Sequence, residues 1–251
     1  LATVISQGLS MFLGIAYLKR HAFLFDFKPA SFRIARPMAK ELARVGIPIS
    51  FQELMVRISF LYLTAVMNGC GVYAAAVVGI GAKYDVFSML SATSVANALA
   101  ALTAQNTGAG KPAGAWRSLW YGLAFALGAA FVFWTWAQWN PESMIRLFSD
   151  DPGVIAAGVP YFRACSYDYL MVAFVFCLNG YLNGRSKTLW TMVSCTCGAL
   201  FLRIPLVWYV GNHFAQDLGM LGTVAPVVSG MMAAYTLLYV LWEGRKQRVF
   251  R

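Results

Sequence analysis

Six long apolar stretches, separated by short polar segments, dominate the chain. They cover residues 45–67, 74–104, 117–139, 154–182, 189–210 and 222–242. A helix needs about 20 mostly apolar residues to cross roughly 30 Å of hydrocarbon, so each stretch predicts a membrane-spanning helix. A seventh apolar stretch, residues 1–18, begins with Leu1 and is followed by Lys19-Arg20-His21. It lacks the features of a signal peptide, and we interpret it as the end of a preceding transmembrane helix.

The segments between these stretches define the expected organisation. Residues 19–44 contain seven basic residues, two prolines and little periodic apolarity, which predicts a cytoplasmic basic linker. Residues 45–242 then form a six-helix transmembrane lobe, and residues 243–251 form a basic cytoplasmic tail. The predicted fold class is an all-α integral membrane protein.

Composition excludes two broad classes of protein. Hydrophobic residues make up 59% of the 251-residue chain and charged residues only 12%, with a mean hydropathy of +0.61. A soluble protein has roughly 45–50% apolar and about 25% charged residues. The chain therefore lacks the charge to cover a water-facing surface, and it is too apolar to be disordered.

The basic residues determine the expected orientation. The chain has 20 Lys and Arg residues against 10 Asp and Glu residues, a net charge of +10. Nearly all the basic residues outside the spans fall in alternate connections, with Arg146 as the exception. This bias is typical of the cytoplasmic side of a membrane protein. It places residues 19–44, 105–116, 183–188 and 243–251 inside and residues 68–73, 140–153 and 211–221 outside. The positive charge therefore indicates orientation, with the C-terminus in the cytoplasm, and no nucleic-acid partner.

Two motifs that could indicate an enzyme fail on inspection. Thr107–Lys111 resembles a phosphate loop, but Gln105 and Pro112 occupy positions where that loop requires Gly and Ser or Thr. The two histidines, His21 and His213, lie in predicted loops and assemble neither a zinc motif nor a catalytic triad. We therefore expect no enzymatic activity, no cofactor and no resident metal.

Ionisable residues inside the spans are the first functional candidates. A charge at the bilayer centre costs on the order of 2.5–3.5 kcal/mol, so such residues face a bundle interior or a wet cavity. The residues of this kind are Glu53, Arg57, Lys83, Asp85, Arg163, Asp168 and Arg203.

The first full span carries a polar stripe. At about 100° per residue, Glu53 and Arg57 fall within roughly 60° of Ser50, Thr64 and Asn68. One interpretation is a cavity wall in which Glu53 binds a proton or cation. The alternative is an ion pair between Glu53 and Arg57 that neutralises itself. The additional polar positions favour the cavity wall.

The fourth span places a carboxyl near mid-membrane. Asp168 shares a face with Tyr161, Asn179 and Asn183, whereas Arg163 is some 140° away around the helix. An unpaired carboxylate at that depth favours its neutral form or binds an ion. The alternative is a structural carboxyl that is hydrogen-bonded to a neighbouring helix.

The remaining charges are assigned lesser roles. Lys83 shares a face with Ser94 and Asn97, whereas Asp85 points elsewhere. Arg163 and Arg203 lie seven to nine residues from the outer ends of their spans, so we expect both to snorkel to the headgroups.

Four short motifs together resemble the C-terminal half of a MATE (multidrug and toxic compound extrusion) transporter. The most specific is Ala104-Gln105-Asn106-Thr107-Gly108-Ala109-Gly110-Lys111. The others are Gly46-Ile47-Pro48 with Gln52-Glu53, Asn179-Gly180-Tyr181-Leu182-Asn183-Gly184 with Lys187-Thr188, and Leu202-Arg203-Ile204-Pro205. The similarity runs from about residue 37 to 245.

The resemblance implies two six-helix lobes around a cavity and export of organic cations or drugs against entry of Na⁺ or H⁺. It further implies that Glu53 and Asp168 form the cation or proton site of this lobe, with Na⁺ as one possible ion. The expected partners are an N-terminal six-helix lobe, a small organic cation or drug, and the lipid bilayer. The residues expected to support the cavity are Gln52, Arg57, Lys83, Asn97, Tyr161 and Asn179.

Two alternatives remain open at this point. A flippase for lipid-linked precursors belongs to the same superfamily and requires a more cationic cavity, for which Arg57, Lys83 and Arg163 are candidates. A seven-helix receptor also fits the number of apolar stretches. The span 222–242 lacks the Lys that a retinal-binding receptor needs, and the long basic linker disfavours any receptor.

Overall fold

A computed structural model describes residues 2–20, 36–214 and 217–246, and every regular element in these ranges is a helix. The chain divides into two compact units, Leu1–Arg44 and Val45–Arg251. The first unit contains helix α1 (Ala2–Arg20) and the start of helix α2 (Arg36–Gly69). The second unit contains the rest of α2 and all later helices.

The later helices form the five remaining spans and one short helix between two of them. They are α3 (Val72–Gly108), α4 (Pro112–Trp139), α5 (Pro141–Arg146), α6 (Pro152–Cys165), α7 (Tyr167–Gly184), α8 (Thr188–Cys197), the π-helix Gly198–Arg203, α9 (Ile204–His213) and α10 (Leu218–Lys246). Among the described residues, six helical segments are long and apolar enough to cross a membrane. The six predicted spans, and with them the all-α membrane fold, are confirmed.

Helix α2 begins earlier than its apolar pattern suggested. It starts at Arg36, so residues 36–44 of the expected linker are helical, while residues 21–35 lie outside the described residues. Pro37 suits the first turn of a helix, where its missing N–H would have no partner in any case. The helix also continues through Pro48.

The fourth span is two helices, not the single one that we expected. Helix α6 ends at Cys165 and α7 begins at Tyr167, with Ser166 between them. The Arg163 carbonyl, which lies at this break, accepts hydrogen bonds from Ser166 Oγ at 3.0 Å and from Gln138 Nε2 at 2.8 Å. Side chains inserted into a helical hydrogen-bond ladder are a recognised cause of such breaks.

The fifth span is interrupted by the π-helix Gly198–Arg203, which ends two residues before Pro205. Proline lacks the N–H that would continue the ladder, so the preceding turn must rearrange its hydrogen bonds. Single π-turns of this kind occur frequently at functional sites. The wide turn places Arg203 on the buried side of the span, at 6% exposure.

Helices α3 and α7 approach each other more closely than any side chain would allow. A Cβ atom on Gly180 would collide with the Ala96 carbonyl, and one on Gly184 would collide with the Ala100 carbonyl. Small residues four apart on both helices let the backbones touch, which is how many membrane helices pack. The Asn179–Gly184 motif therefore contributes a packing seam.

Two turns between spans share one conformation. After α3, the Lys111 N–H donates to the Asn106 carbonyl at 2.8 Å, and the Gly110 N–H donates to the Thr107 carbonyl at 3.1 Å. Gly110 has a φ of +69°, which completes a Schellman turn. After α7, Lys187 and Ser186 make the same two bonds, and Ser186 adopts a φ of +59°. The motif that resembled a phosphate loop is thus a helix-ending turn.

Candidate transport cavity and buried charge cluster

A cavity of about 510 Å³ lies inside the second unit. Side chains from α2, α3, α7, α8, the π-helix and α10 line it. The polar lining residues are Gln52, Glu53, Arg57, Thr93, Asn97, Asn179, Asn183, Cys195, Arg203 and Ser229. Apolar residues such as Phe60, Phe176 and Met232 complete the wall. Such a mixture of apolar walls and a few polar groups is typical of a small-molecule site.

Helix α2 supplies the charged wall of the cavity. Glu53 and Arg57 are both exposed and both line the cavity, yet they form no ion pair with each other within the described part of the chain. The self-neutralising pair considered from the sequence is therefore absent there. Gln52 is buried one residue earlier, and its Oε1 has no hydrogen-bond partner among the described residues.

The opposite wall is built by α7 and α8. Asn179 Nδ2 donates to Cys195 Sγ at 3.2 Å, while Asn179 Oδ1 has no partner among the described residues. Asn183, one turn further on, accepts a hydrogen bond from Thr191 Oγ1 at 2.9 Å. Gln52 and Asn179 thus line the cavity from two sides, and each has a buried amide oxygen without a hydrogen-bond partner among the described residues.

Asp168 lies directly behind this wall, in the first turn of α7. Asp168 is 4% exposed and lies beside Ser229, which itself lines the cavity. Its Oδ1 has no partner in the described ranges. Asp168 is therefore buried and one side chain away from the cavity.

Arg203, the last residue of the π-helix, is buried and also lines the cavity. Its Nη1 donates a hydrogen bond to Ser59 Oγ at 3.4 Å, and its guanidinium lies 4.3 Å from the centre of the Phe60 ring. Its Nε has no partner among the described residues. The expectation that Arg203 snorkels to the headgroups is wrong, because the π-turn directs it into the bundle, towards Asp168.

Asp85 is the residue that our interpretation of the sequence undervalued. It is half-buried on α3 and interacts electrostatically with both Asp168 and Arg203. A signal existed in the spacing, since Gly81, Ser88, Ala92 and Ala96 lie on the same helical face and are buried. We compared Asp85 only with Lys83, two residues away, and so missed this face.

The other expected site residues lie in different places. Asn97 lines the cavity, whereas Tyr161 is buried beside Gly81 and close to Asp85 and Asp168. Lys83 is not among the lining residues, because its Nζ lies over the Phe148 ring at 5.7 Å. Arg163 is exposed, as expected for a snorkelling residue.

The described residues contain no cluster of three or more His, Cys, Asp or Glu side chains that could hold a metal ion. Five cysteines are present there as free thiols.

Comparison with known proteins identifies the family. The sequence profile of the MatE family matches residues 48–209, which include the cavity walls from α2 to α9. The chain belongs to the MatE family. This MatE chain is 25% identical over 215 residues to a probable multidrug resistance protein NorM of Thermotoga maritima, covering 82% of the chain and 45% of the relative. It is also 25% identical over 250 residues to an FAD transporter of Shewanella oneidensis, covering 97% of the chain and 54% of the relative.

Solved structures agree on the fold. A MOP superfamily transporter from Pyrococcus furiosus superposes with a TM-score of 0.84 at 16% identity, covering 99% of this MatE chain and 55% of that structure. The chain spans about half the length of the curated relatives that it matches. The resemblance to MATE transporters is thus confirmed, and the seven-helix receptor is excluded by the family match.

Proposed function

We propose that this chain forms one lobe of a secondary active transporter in which entry of Na⁺ or H⁺ drives export of an organic substrate. Membership of the MatE family supports a transporter. The observation that carries the proposed coupling is Asp168, which is 4% exposed and linked to the cavity through Ser229. Loading such a site changes its charge, and therefore the relative free energies of the outward-facing and inward-facing states.

Glu53 is the proposed second coupling group. It lines the cavity and lies close enough to Cys195 on the opposite wall to interact with it electrostatically. A substrate or ion in the cavity would therefore meet Glu53 directly, whereas it would reach Asp168 through Ser229. Glu53 would favour cationic substrates in the cavity, and Asp168 would bind the coupling ion.

Organic cations and drugs are the proposed substrate class, as the resemblance to MATE transporters implies. Glu53 in the cavity wall attracts cations, and Phe60 and Phe176 in the same wall offer ring faces to them. We further propose that a second six-helix lobe completes the cavity. We place the protein in the bacterial inner membrane, with its basic connections and C-terminus in the cytoplasm.

A flippase for lipid-linked precursors is the second candidate, and Arg57 in the cavity wall favours it. Two of the three cations considered for that function point elsewhere, since Lys83 lies over Phe148 and Arg163 is exposed on α6. Arg203 does line the cavity, but it faces Asp168 and Asp85. The cavity is therefore less cationic than a flippase requires, and the flippase is the less favoured proposal.

Exchange of Asp168 for Asn tests the proposal in a two-lobe protein that contains this lobe. The amide keeps the shape of the side chain and removes its charge, so ion-driven ethidium efflux from proteoliposomes should fall to background. Asp151→Asn is the matched control, because Asp151 caps α6 in the outer connection and Asn caps a helix equally well. Efflux by Asp168→Asn at the wild-type rate would reduce Asp168 to a structural carboxyl.

A further inference from the structure

Helix α8, the half of the fifth span that precedes the π-helix, buries a polar face. Its buried residues are Thr188, Thr191, Ser194 and Cys195. All of them carry a hydroxyl or thiol group, whereas the apolar Leu189 and Val193 of the same helix are exposed. The exposed side suits lipid, but the buried side lacks the close backbone packing that joins α3 to α7. The seat of α8 against its neighbours is therefore polar.

The fifth span meets α10 in an antiparallel register, with one contact in each helical turn. The contacts pair Lys187 with Glu243, Trp190 with Tyr239, Ser194 with Tyr235 and Gly198 with Met232. At the start of α8, Lys187 Nζ lies 3.7 Å from Glu243 Oε1, and the Lys187 side chain is 47% exposed. Where the π-helix begins, a Cβ atom on Gly198 would collide with the Met232 sulfur. The contact is thus loosest at the start of α8 and closest at the π-helix.

Hydrogen bonds from the cavity wall join α8 to α7. Thr191 Oγ1 donates to Asn183 Oδ1 at 2.9 Å, and Asn179 Nδ2 donates to Cys195 Sγ at 3.2 Å. The Thr191 hydroxyl also lies 2.9 Å from the Thr188 carbonyl of its own helix, which gives it an alternative acceptor. Movement of α8 away from α7 would therefore leave this hydroxyl with a hydrogen bond.

The ion pair at the start of α8 can break without leaving a buried charge unpaired. The Glu243 side chain is 6% exposed, and its Oε1 also lies 3.7 Å from Nη2 of Arg185. Arg185 follows α7 and donates a hydrogen bond to the Tyr181 hydroxyl at 3.1 Å, so it stays with α7. Loss of one partner from a buried pair is costly because a lone charge remains. Here Glu243 would keep Arg185, and the half-exposed Lys187 would be solvated.

We propose that α8 is a mobile half-helix that pivots at Gly198 and is held at its other end by the ion pair between Lys187 and Glu243. The π-helix after Gly198 interrupts the regular α-helical hydrogen bonds, so the direction of α8 can change there. This inference rests on the proposed transport function. Because Cys195 lines the cavity, outward rotation of α8 would widen it, and the Asn183 amide oxygen would become available to a substrate.

The thiol of Cys195, on the buried face of α8, reports this motion without requiring transport. Cys195 is 3% exposed, and Cys177 on α7 is 0% exposed. In the purified 251-residue chain in detergent, N-ethylmaleimide should alkylate Cys195 faster than Cys177, as measured by mass spectrometry of peptides. Lys187→Gln should speed alkylation of Cys195 by about two- to fivefold, the change expected when a half-exposed ion pair is lost. The rate at Cys177 should not change.

Lys111→Gln is the matched control, because Lys111 has the same place in the turn after α3 that Lys187 has after α7. It should change neither rate. Cys195 also lines the cavity, so a reagent that reached it without motion of α8 would alkylate the wild type and Lys187→Gln at the same rate. That result, or an equal acceleration at Cys177, would overturn the proposal.

A disulfide between α8 and α10 tests whether transport needs the motion. Ser194→Cys with Thr236→Cys, in a two-lobe protein that contains this lobe, joins positions whose side-chain oxygens are 3.2 Å apart. Neither position is among the described residues that line the cavity. Oxidation should stop ethidium efflux from proteoliposomes, and reduction should restore it. Continued efflux with the disulfide shown by mass spectrometry would overturn the proposal. Absence of efflux by the wild-type two-lobe protein would instead count against the transport function, and the alkylation test would still decide whether α8 moves.

Discussion

Gln138, near the end of α4, donates hydrogen bonds from its Nε2 to the Arg163 carbonyl at 2.8 Å and to Ser166 Oγ at 2.9 Å. One acceptor belongs to the last turn of α6, and the other is Ser166, the residue between α6 and α7. One side chain thus adds a hydrogen bond to the Arg163 carbonyl, which otherwise accepts only from Ser166 Oγ among the side-chain donors of the described residues, inside a membrane where water cannot substitute. The position of Asp168 depends on this break.

We therefore predict that Gln138→Leu destabilises the protein by about 1–2 kcal/mol, since the Arg163 carbonyl and the Ser166 hydroxyl lose a donor. The midpoint of thermal unfolding in detergent measures the effect. Gln105→Leu makes the same exchange at an exposed position at the end of α3 and should change the midpoint little. Equal midpoints for both variants would mean that Gln138 does not support the break.

The seam between α3 and α7 leads to a second prediction. Gly180→Ala introduces a methyl group into the Ala96 carbonyl, and overpacking of this kind costs about 1–3 kcal/mol. Gly128→Ala is the matched control, because a Cβ at Gly128 on α4 meets nothing within 4 Å. That control should be neutral or slightly stabilising, given the better helix propensity of Ala. A Gly180→Ala protein as stable as the control would contradict the close packing.

Ser186 offers a stabilising exchange. Its φ of +59° lies in the left-handed region, which costs a side-chain-bearing residue roughly 1–2 kcal/mol relative to its favoured conformations. Ser186→Gly should therefore raise stability by about 1 kcal/mol, partly offset by the greater freedom of Gly in the unfolded chain. Ser118→Gly, in the middle of α4, should lower stability by about 0.5–1 kcal/mol. The same sign for both variants would refute the argument.

The predicted orientation is open to a direct test. Reporter fusions after Arg251 and near Arg33 should report the cytoplasm, and a fusion at Asp151 should report the outside, because basic residues are retained on the cytoplasmic side. An alkaline phosphatase and a fluorescent protein reporter at each site provide opposite signals and so control for expression. A cytoplasmic signal at Asp151 would reverse the proposed topology.

A final prediction concerns the chain by itself. The cavity of about 510 Å³ is lined from one lobe, with Glu53 and Arg57 exposed in its wall. Charges exposed in this way are costly in lipid, so we expect residues 1–251 alone to confer no ethidium resistance on an efflux-deficient bacterium. Protein detected in the membrane without resistance would support the need for a second lobe. Resistance above the empty vector, from protein shown to be monomeric, would contradict it.

The spans could be predicted from the sequence because twenty consecutive apolar residues have few other stable environments. The sequence motif around Gly110 was also recognised, but its structural role as a helix-ending turn was not. The breaks at Ser166 and Gly198 could not be predicted, since each depends on side chains from another helix or on a proline further along the chain. Arg203 was misjudged for the same reason. Its distance from the end of the span indicated snorkelling, whereas one wide turn directs it inward.

The contact of Gly180 and Gly184 with Ala96 and Ala100 has a mechanical consequence for the lobe. Two backbones that touch over a full turn cannot slide or rotate past one another without first separating, so α3 and α7 must move as one rigid body. Hinge motion requires backbone that lacks regular hydrogen bonds, and the fifth span supplies it in its π-helix. Any change in the volume of the cavity must then come from α2, α8, the π-helix or α10 moving against this fixed wall, and Arg203 moves with the π-helix.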